Sequence, residues 1–274
     1  MIRNALFLLL FLCGFNFCEH FAHKQTDGFS VRRIQFHTVA NRVEMADLDP
    51  RLTQQTFHYL DCGNQCYVFL SEDGQHILKL FKYANPPVPQ FFTRIPLLSK
   101  IKPFRPHRHD KALWKRQRDF RGYSLAYTFF KEEAGLLAMH LKPSNIKATI
   151  RITDKLNIAH TLDLSTVPFI MQKRAEPIYL ALQTLPPEEK KAAARNLVQL
   201  LKKRIGLNLC DDDAHFYSNF GFLGTSAIQT DPGHFTLGEN SPTELQKLLI
   251  PLIAWCEAHD KTLIPVIENE AASR

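Results

Sequence analysis

Residues 209–235 read LCDDDAHFYSNFGFLGTSAIQTDPGHF, and the neighbouring segments are best understood by what they add to this stretch. Three consecutive carboxylates, Asp211, Asp212 and Asp213, precede Asn219. An apolar, hairpin-like run follows, and Asp231-Pro232-Gly233 closes the stretch. Taken singly, these parts read as an exposed acidic turn and an ordinary β-turn. Their order (acid, then Asn, then Asp-x-Gly) is the one constellation in the sequence with a chemical logic.

The flanks are helical. Residues 184–205 carry Pro186, Pro187, Glu188 and Glu189 in the first turns and an apolar face of Leu197, Leu200 and Leu201. Lys202, Lys203 and Arg204 sit at the negative end of that helix, and Gly206 stops it. Beyond the stretch, Ser241-Pro242-Thr243-Glu244 has the form of a capping box. Leu245, Leu248, Leu249, Leu252, Ile253 and Cys256 supply the stripe that this second helix buries.

Further upstream the period is that of strands. Two β-rich runs flank a turn at residues 62–65, and Glu72-Asp73-Gly74 marks a second tight turn. His76 to Lys82 follows, with Lys79 inside the run. A β-meander with one outward Lys and a lone Gly63 is the plainer account of this region. Residues 148–152, 157–162 and 167–171 predict three more strands.

Between these sets lie two different segments. Residues 84–121 are rich in Pro and in Lys and Arg, from Arg94 to Arg121, with Phe92, Phe104 and Trp114 interleaved. Basic and aromatic together suit nucleic acid, a membrane surface or an acidic protein. A solvated insertion ending in a short basic helix is the preferred reading. His107, His109 and Asp110 lack further ligands at a spacing that completes a metal shell. Residues 124–141 predict a helix capped by Ser124, with Leu125, Phe129, Leu136, Leu137 and His140 at helical spacing. Glu133 falls on that apolar stripe, where a carboxylate needs a partner; Glu132 competes for the role, and both could simply face water.

The ordered set resembles the protein-kinase-like superfamily, and locally the HipA-type kinases. The residues that carry the resemblance are Asp213-Ala214-His215, Asn219-Phe220 and Asp231-Pro232-Gly233, supported by Lys79, Glu133 and the helix at Thr184. It implies a two-lobed α+β fold, with an antiparallel N-lobe sheet carrying one helix and a reduced helical C-lobe. The implied layout is a targeting segment at 1–22, an extension at 23–56, the N-lobe at 57–175 with the basic insertion at 84–121, the C-lobe at 176–265 and a tail at 266–274. By the same resemblance Asp213 is the base, with Asp211 the alternative, and Asn219 and Asp231 hold magnesium. Lys79 contacts the phosphates of ATP and pairs with Glu133, and Gly63 remains of the nucleotide loop. Leu141-Lys142-Pro143-Ser144-Asn145 also matches part of a kinase catalytic loop, but it lacks the Asp and is read as a helix stop and turn. The sequence departs from the family in three ways. Asp213 to Asn219 is one residue longer than the family spacing, the nucleotide loop lacks its other glycines, and few residues follow Gly233. Three functions are therefore expected: an ATP- and magnesium-dependent phosphotransferase, an inactive pseudokinase that binds, or a binder of an anionic protein, membrane or nucleic acid through residues 94–121.

Composition narrows the setting. The chain has 274 residues, 45% hydrophobic and 22% charged, which is enough to bury a substantial core and argues against disorder. A formal charge of +7 favours an anionic partner. Arg3 followed by the apolar run Ala5–Leu12 reads as a signal sequence and hence an exported protein, with an uncleaved anchor as the alternative. Downstream of it only Cys62, Cys66, Cys210 and Cys256 remain, too few for a disulfide scaffold and without zinc spacing.

Overall fold

A computed structural model describes residues 11, 14, 17–36, 48–82, 106–241 and 243–273, with the backbone alone at 106–110 and 112. Most of the Pro-rich half of the basic insertion, 83–105, and the apolar run near the N-terminus lie outside the described residues. Among the described residues no helix is long and apolar enough to cross a membrane.

The protein is mixed α+β and divides into two compact units, each built from two chain segments. One holds residues 1–105 and 140–170, the other 106–139 and 171–274. Among the described residues a seven-stranded sheet has the order β4-β7-β3-β2-β1-β5-β6, and β1, β2, β3, β5 and β6 of it lie wholly in the first unit. The strands are β1 (Thr56–Cys62), β2 (Cys66–Ser71), β3 (His76–Phe81), β4 (Leu136–His140), β5 (Thr149–Thr153), β6 (Ala159–Asp163) and β7 (Phe169–Lys173). β4 and β7 are the strands along which the chain passes between the units.

The turns expected from sequence form. Cys62 faces Tyr67 across the β1–β2 turn, and Gly74 takes a positive φ of 69° with its N–H on the Ser71 carbonyl. The sheet is not antiparallel throughout, however. β5 runs parallel to β1, with Phe57 opposite Ile152: after β3 the chain re-enters the sheet first as β4, at the edge beside β7, and then crosses to the far side of β1 as β5. Tyr67 and Phe69 on β2 face Leu80 and Leu78 on β3, and all four are fully buried. Burying each of these side chains contributes roughly 1.5–3 kcal/mol. That face is closed by the segment ahead of the sheet. Helix α1 (17–26) leads into a turn at Asp27-Gly28, Phe29 packs edge-on against Tyr67 and Phe69, and Ile34 is buried.

The second unit opens with helix α3 (Pro106–Phe129); α2 is the single turn Pro50–Thr53 in the first unit. Then come β8 (Glu176–Pro177), α4 (Ile178–Thr184), α5 (Pro187–Gly206), β9 (Leu209–Asp211), α6 (Phe216–Asn219), β10 (Phe220–Leu223), β11 (Ser226–Gln229), β12 (Phe235–Leu237), α7 (Glu244–His259) and α8 (Ile264–Ala272). α5 is the central scaffold: its Leu197, Val198 and Leu201 are fully buried, and it packs on β11, α7 and α8. β8, β10 and β11 form a small antiparallel sheet, and β9 pairs with β12. The unit is therefore not purely helical.

Two sequence expectations fail here. The helix expected over residues 124–141 is instead the last turns of a helix that begins at Pro106, followed by a turn at 131–135 and then strand β4. The long helix also belongs to the second unit rather than to the sheet. The capping box at Ser241 does not close either. Thr243 is the N-cap residue of α7 and makes no side-chain capping bond.

Candidate active site

The acidic stretch is placed by the end of α5. Gly206 ends that helix, Asn208 turns the chain with a positive φ of 56°, and β9 carries Asp211 inward. Asp211 is buried between two side chains. Gln229 Nε2 donates to its Oδ2 at 2.6 Å, and Arg204 Nη1 lies 3.4 Å from the same oxygen. Arg204 also donates to Gln229 Oε1 at 3.2 Å and has no exposed surface. Burial pushes the Asp211 carboxyl up and the Arg204 guanidinium down, each opposed by the charge of the other. Asp211, the alternative base, is thus a strut. Its Oδ1 accepts the N–H of Asp213 at 3.0 Å and fixes the start of the following loop.

Hydrogen bonds link Asp213 at the start of that loop to Asn219, and Asn219 to Asp231 beyond β11. The Asn219 side-chain amide donates to the Asp213 carbonyl, and Asn219 Oδ1 accepts from Ser218 Oγ at 2.7 Å. The Asn219 backbone carbonyl in turn accepts from the N–H of Thr230 at 2.7 Å and of Asp231 at 3.4 Å. Asp231 Oδ1 accepts from the Tyr123 hydroxyl at 3.0 Å and from the Gly233 N–H at 3.3 Å. The Asp213 carboxylate is half exposed and faces two imidazoles: His215 Nε2 lies 3.1 Å from Oδ1, and His234 Nδ1 lies 3.6 Å from Oδ2.

Helix α3 supplies the floor. Asp119, Gly122, Tyr123, Ala126 and Phe130 are buried at helical spacing. Gly122 is there because the Asp231-Pro232-Gly233 turn rests on the helix backbone. A Cβ at this position would stand 2.2 Å from the Gly233 carbonyl oxygen and 2.7 Å from that of Pro232. Asp119 lies beneath the turn, 2.9 Å from Arg118 Nη2 and 3.8 Å from His234 Nε2, and burial raises its pKa against the opposing effect of Arg118. Asp119, Tyr123, His234, Arg204 and Gln229 were not singled out as site residues from sequence. The stripe on α3, which Phe130 continues just past the end of the helix, is the signal that points to Asp119 and Tyr123, since a carboxylate and a hydroxyl fall there among apolar positions.

The other expected site residues sit elsewhere. Lys79 lies on β3 opposite Val68, on the face away from Tyr67 and Phe69, and is half-buried. Gly63 is in the β1–β2 turn of the same unit. Glu133 is not helical but in the turn after α3, where Lys203 forms an ion pair with its carboxylate and the Gln229 N–H bonds its carbonyl. His140, in the place of an Asp in the partial loop motif, is buried between the Val167 carbonyl and Ser144 Oγ at 2.8 and 2.9 Å. Burial lowers its pKa, so it is a neutral core histidine that ends a strand rather than a helix.

Among the described residues no group of three or more His, Cys, Asp or Glu side chains is placed to hold a metal ion. Asn219 and Asp231 offer oxygen donors of the right type for magnesium, which is commonly held by one or two protein oxygens together with phosphate and water. The bonds named above leave Asp231 Oδ2 out, and Asn219 Oδ1, with one lone pair on the Ser218 hydroxyl, has a second to offer.

No family model matches the chain, and no curated protein matches it. Among solved structures, the complex of Rv3197 with erythromycin from Mycobacterium tuberculosis is similar with a TM-score of 0.31 at 13% identity, over 77% of this chain and 53% of that one. The chain thus spans about half the length of that protein. A TM-score of this size does not establish a common fold.

Proposed function

We propose that the protein is a divergent kinase-like phosphotransferase that uses ATP and magnesium. The observation that carries this reading is the stitched loop, in which Asn219 binds the Asp213 carbonyl through its side chain and the start of the Asp231-Pro232-Gly233 turn through its backbone. These bonds link an acid, an amide and a second acid, the residue types that base and metal-holding roles use, which supports the reading. In this reading Asp213 accepts the proton of a substrate hydroxyl, while Asn219 and Asp231 hold the metal. Magnesium, when bound, neutralises charge on the transferring phosphate. Tyr123 and Gly122 fix the position of Asp231, and Asp211 with Arg204 fixes that of Asp213. Lys79 is assigned to the phosphates of ATP and Gly63 to the loop over them, in a two-lobed arrangement. Glu133, which makes an ion pair with Lys203, is assigned as the carboxylate partner of Lys79.

A second reading, a catalytically silent binding module, is favoured by one feature. Both oxygens of the Asp213 carboxylate face an imidazole, and a base has to be free to take a proton.

Thermal unfolding with and without ATP and magnesium separates the outcomes. A ligand that binds only the native state raises stability by about 2.7 kcal/mol at a hundredfold excess over Kd. A magnesium-dependent rise that Asp231→Asn removes supports nucleotide binding. Transfer of labelled γ-phosphate to an acceptor, lost in Asp213→Asn while the thermal shift remains, supports catalysis. A shift without transfer favours the silent module, and no shift at millimolar nucleotide rejects both.

A further inference from the structure

We propose that Cys62 and Lys82 form an oxidant-sensitive covalent modification site, in which a peroxide-oxidised Cys62 is captured by the Lys82 amine. This proposal is independent of the kinase-like reading, because both residues and everything that holds them belong to the first unit.

Lys82 Nζ lies 2.8 Å from Cys62 Sγ. The amine has further partners. It also donates to the Gly63 carbonyl and stands over the Tyr67 ring, 4.5 Å from the centroid. Its backbone N–H is tied to the Gln65 carbonyl at 2.8 Å, so both ends of the residue are fastened to the β1–β2 turn. The thiol is confined as well, 3.8 Å from the carbonyls of Asp27 and Gly63. Cys62 and Lys82 are each half-buried, so a molecule as small as a peroxide can reach the sulfur. A nucleophile and an electrophile held in contact react as if present at very high concentration.

The chemistry balances in two steps. In the first, the Cys62 sulfur attacks a peroxide. A sulfur–oxygen bond forms, the oxygen–oxygen bond breaks, and water or an alcohol leaves. Sulfur is oxidised by two electrons, the peroxide is reduced, and a sulfenic acid results. In the second, the Lys82 amine, having given its ammonium proton to solvent, attacks that sulfur. A nitrogen–sulfur bond forms, the sulfur–oxygen bond breaks, and water leaves. No second oxidant is needed, and an external thiol reverses the link by breaking the nitrogen–sulfur bond. Cys66 is the competing partner, but its place in the ladder is against it. Cys62 pairs with Tyr67, so Cys66 lies one residue on from the Cys62 position and projects to the opposite face.

The test is peptide mapping of the full chain after exposure to hydrogen peroxide. The expected result is that the peptides containing Cys62 and Lys82 become joined with the loss of two hydrogens, and that trypsin ceases to cut after Lys82. Dithiothreitol is expected to restore both. Cys66→Ser is expected to keep the link, whereas in Lys82→Gln Cys62 is expected to gain oxygen atoms. The proposal is overturned if Cys62 in the unmodified sequence oxidises to acids while Lys82 remains cleavable. It is equally overturned if the loss of two hydrogens disappears in Cys66→Ser, which would assign it to a disulfide. The mapping of the unmodified sequence decides the matter if Cys66→Ser fails to fold, because a disulfide would leave Lys82 cleavable and its peptide unjoined.

Discussion

Arg204 is a full charge with no exposed surface, compensated by Asp211 and by the amide of Gln229. Among the described residues its Nε and Nη2 groups meet no hydrogen-bond partner. Removing one member of such a pair leaves the other buried and unpaired, which costs about 3–5 kcal/mol. Arg204→Met is therefore expected to lower the urea midpoint strongly, and Arg204→Met/Asp211→Asn to recover part of the loss. If the double variant is no better than the single one, charge burial is not the cause. Asp154 gives a pH-dependent counterpart. Burial pushes its carboxyl up, but His160 at 2.8 Å and the N–H groups of Ile158 and Leu156 outweigh that and leave it below its ordinary value of 3.8. A lowered folded pKa means that the stabilisation is complete above the unfolded value and fades as pH falls through the folded one. Asp154→Ala is expected to cost about 2 kcal/mol at neutral pH. The difference from the parent should close in acid below the ordinary carboxylate range, and a constant difference across pH would reject an ionic origin.

At the scale of elements, the contact between α3 and the Asp231-Pro232-Gly233 turn is the most demanding, because backbone meets backbone at Gly122. Gly122→Ala forces a main-chain shift, and overpacking of this kind costs about 1–3 kcal/mol. It should also carry Asp231 away from the Tyr123 hydroxyl, so any magnesium-dependent nucleotide shift should fall together with stability. Tyr123→Phe, by contrast, removes one hydrogen bond worth about 1 kcal/mol and leaves the turn seated. Equal loss of nucleotide response in the two variants would indicate that the hydroxyl, not the helix contact, positions Asp231. These elements also show what could be read in advance. The turns at residues 62–65 and 72–74 were legible because Asp-Gly and short β-rich runs carry their own backbone preferences, and α5 because its apolar face repeats at helical spacing. Residues 124–141 were misread because Phe129, Leu136, Leu137 and His140 fit a helical stripe, while Leu136, Ala138 and His140 equally fit the alternation that is realised. Gly135, at a φ of 61°, marks the break between helix and strand and was the overlooked sign. That Asp213, Asn219 and Asp231 belong to one hydrogen-bonded stretch was legible from their order. The struts beneath them were not, since Asp119, Tyr123 and Arg204 owe their roles to contacts with residues far along the chain.

For the whole molecule, residues 27–36 ahead of the sheet are structural. The Gly28 carbonyl accepts from the Tyr67 hydroxyl at 2.7 Å, and Asp27 bonds the Tyr59 hydroxyl and Lys155. Removal of residues 1–22 is expected to leave the melting midpoint nearly unchanged. Removal of residues 1–36 strips Phe29 and Ile34 from the sheet, and loss of a buried Ile alone costs about 2–5 kcal/mol. Equal stability of the two truncations would mean that the sheet does not need its cover. The shorter truncation is accordingly the form in which to measure nucleotide response.

The interleaving of the two units also has a consequence for timing. A ribosome releases the chain from its N-terminus, so α3 emerges long before the strand it packs against. Phe130 meets Phe235 ring to ring at 5.8 Å in the finished protein, yet about a hundred residues separate them in the order of synthesis. At roughly 5–20 residues per second, that interval is about 5–20 s during which the apolar stripe of α3 has no final partner. The newborn chain is therefore expected to depend on holding factors late in its synthesis, and to be most prone to aggregation when released from the ribosome before β12 is complete.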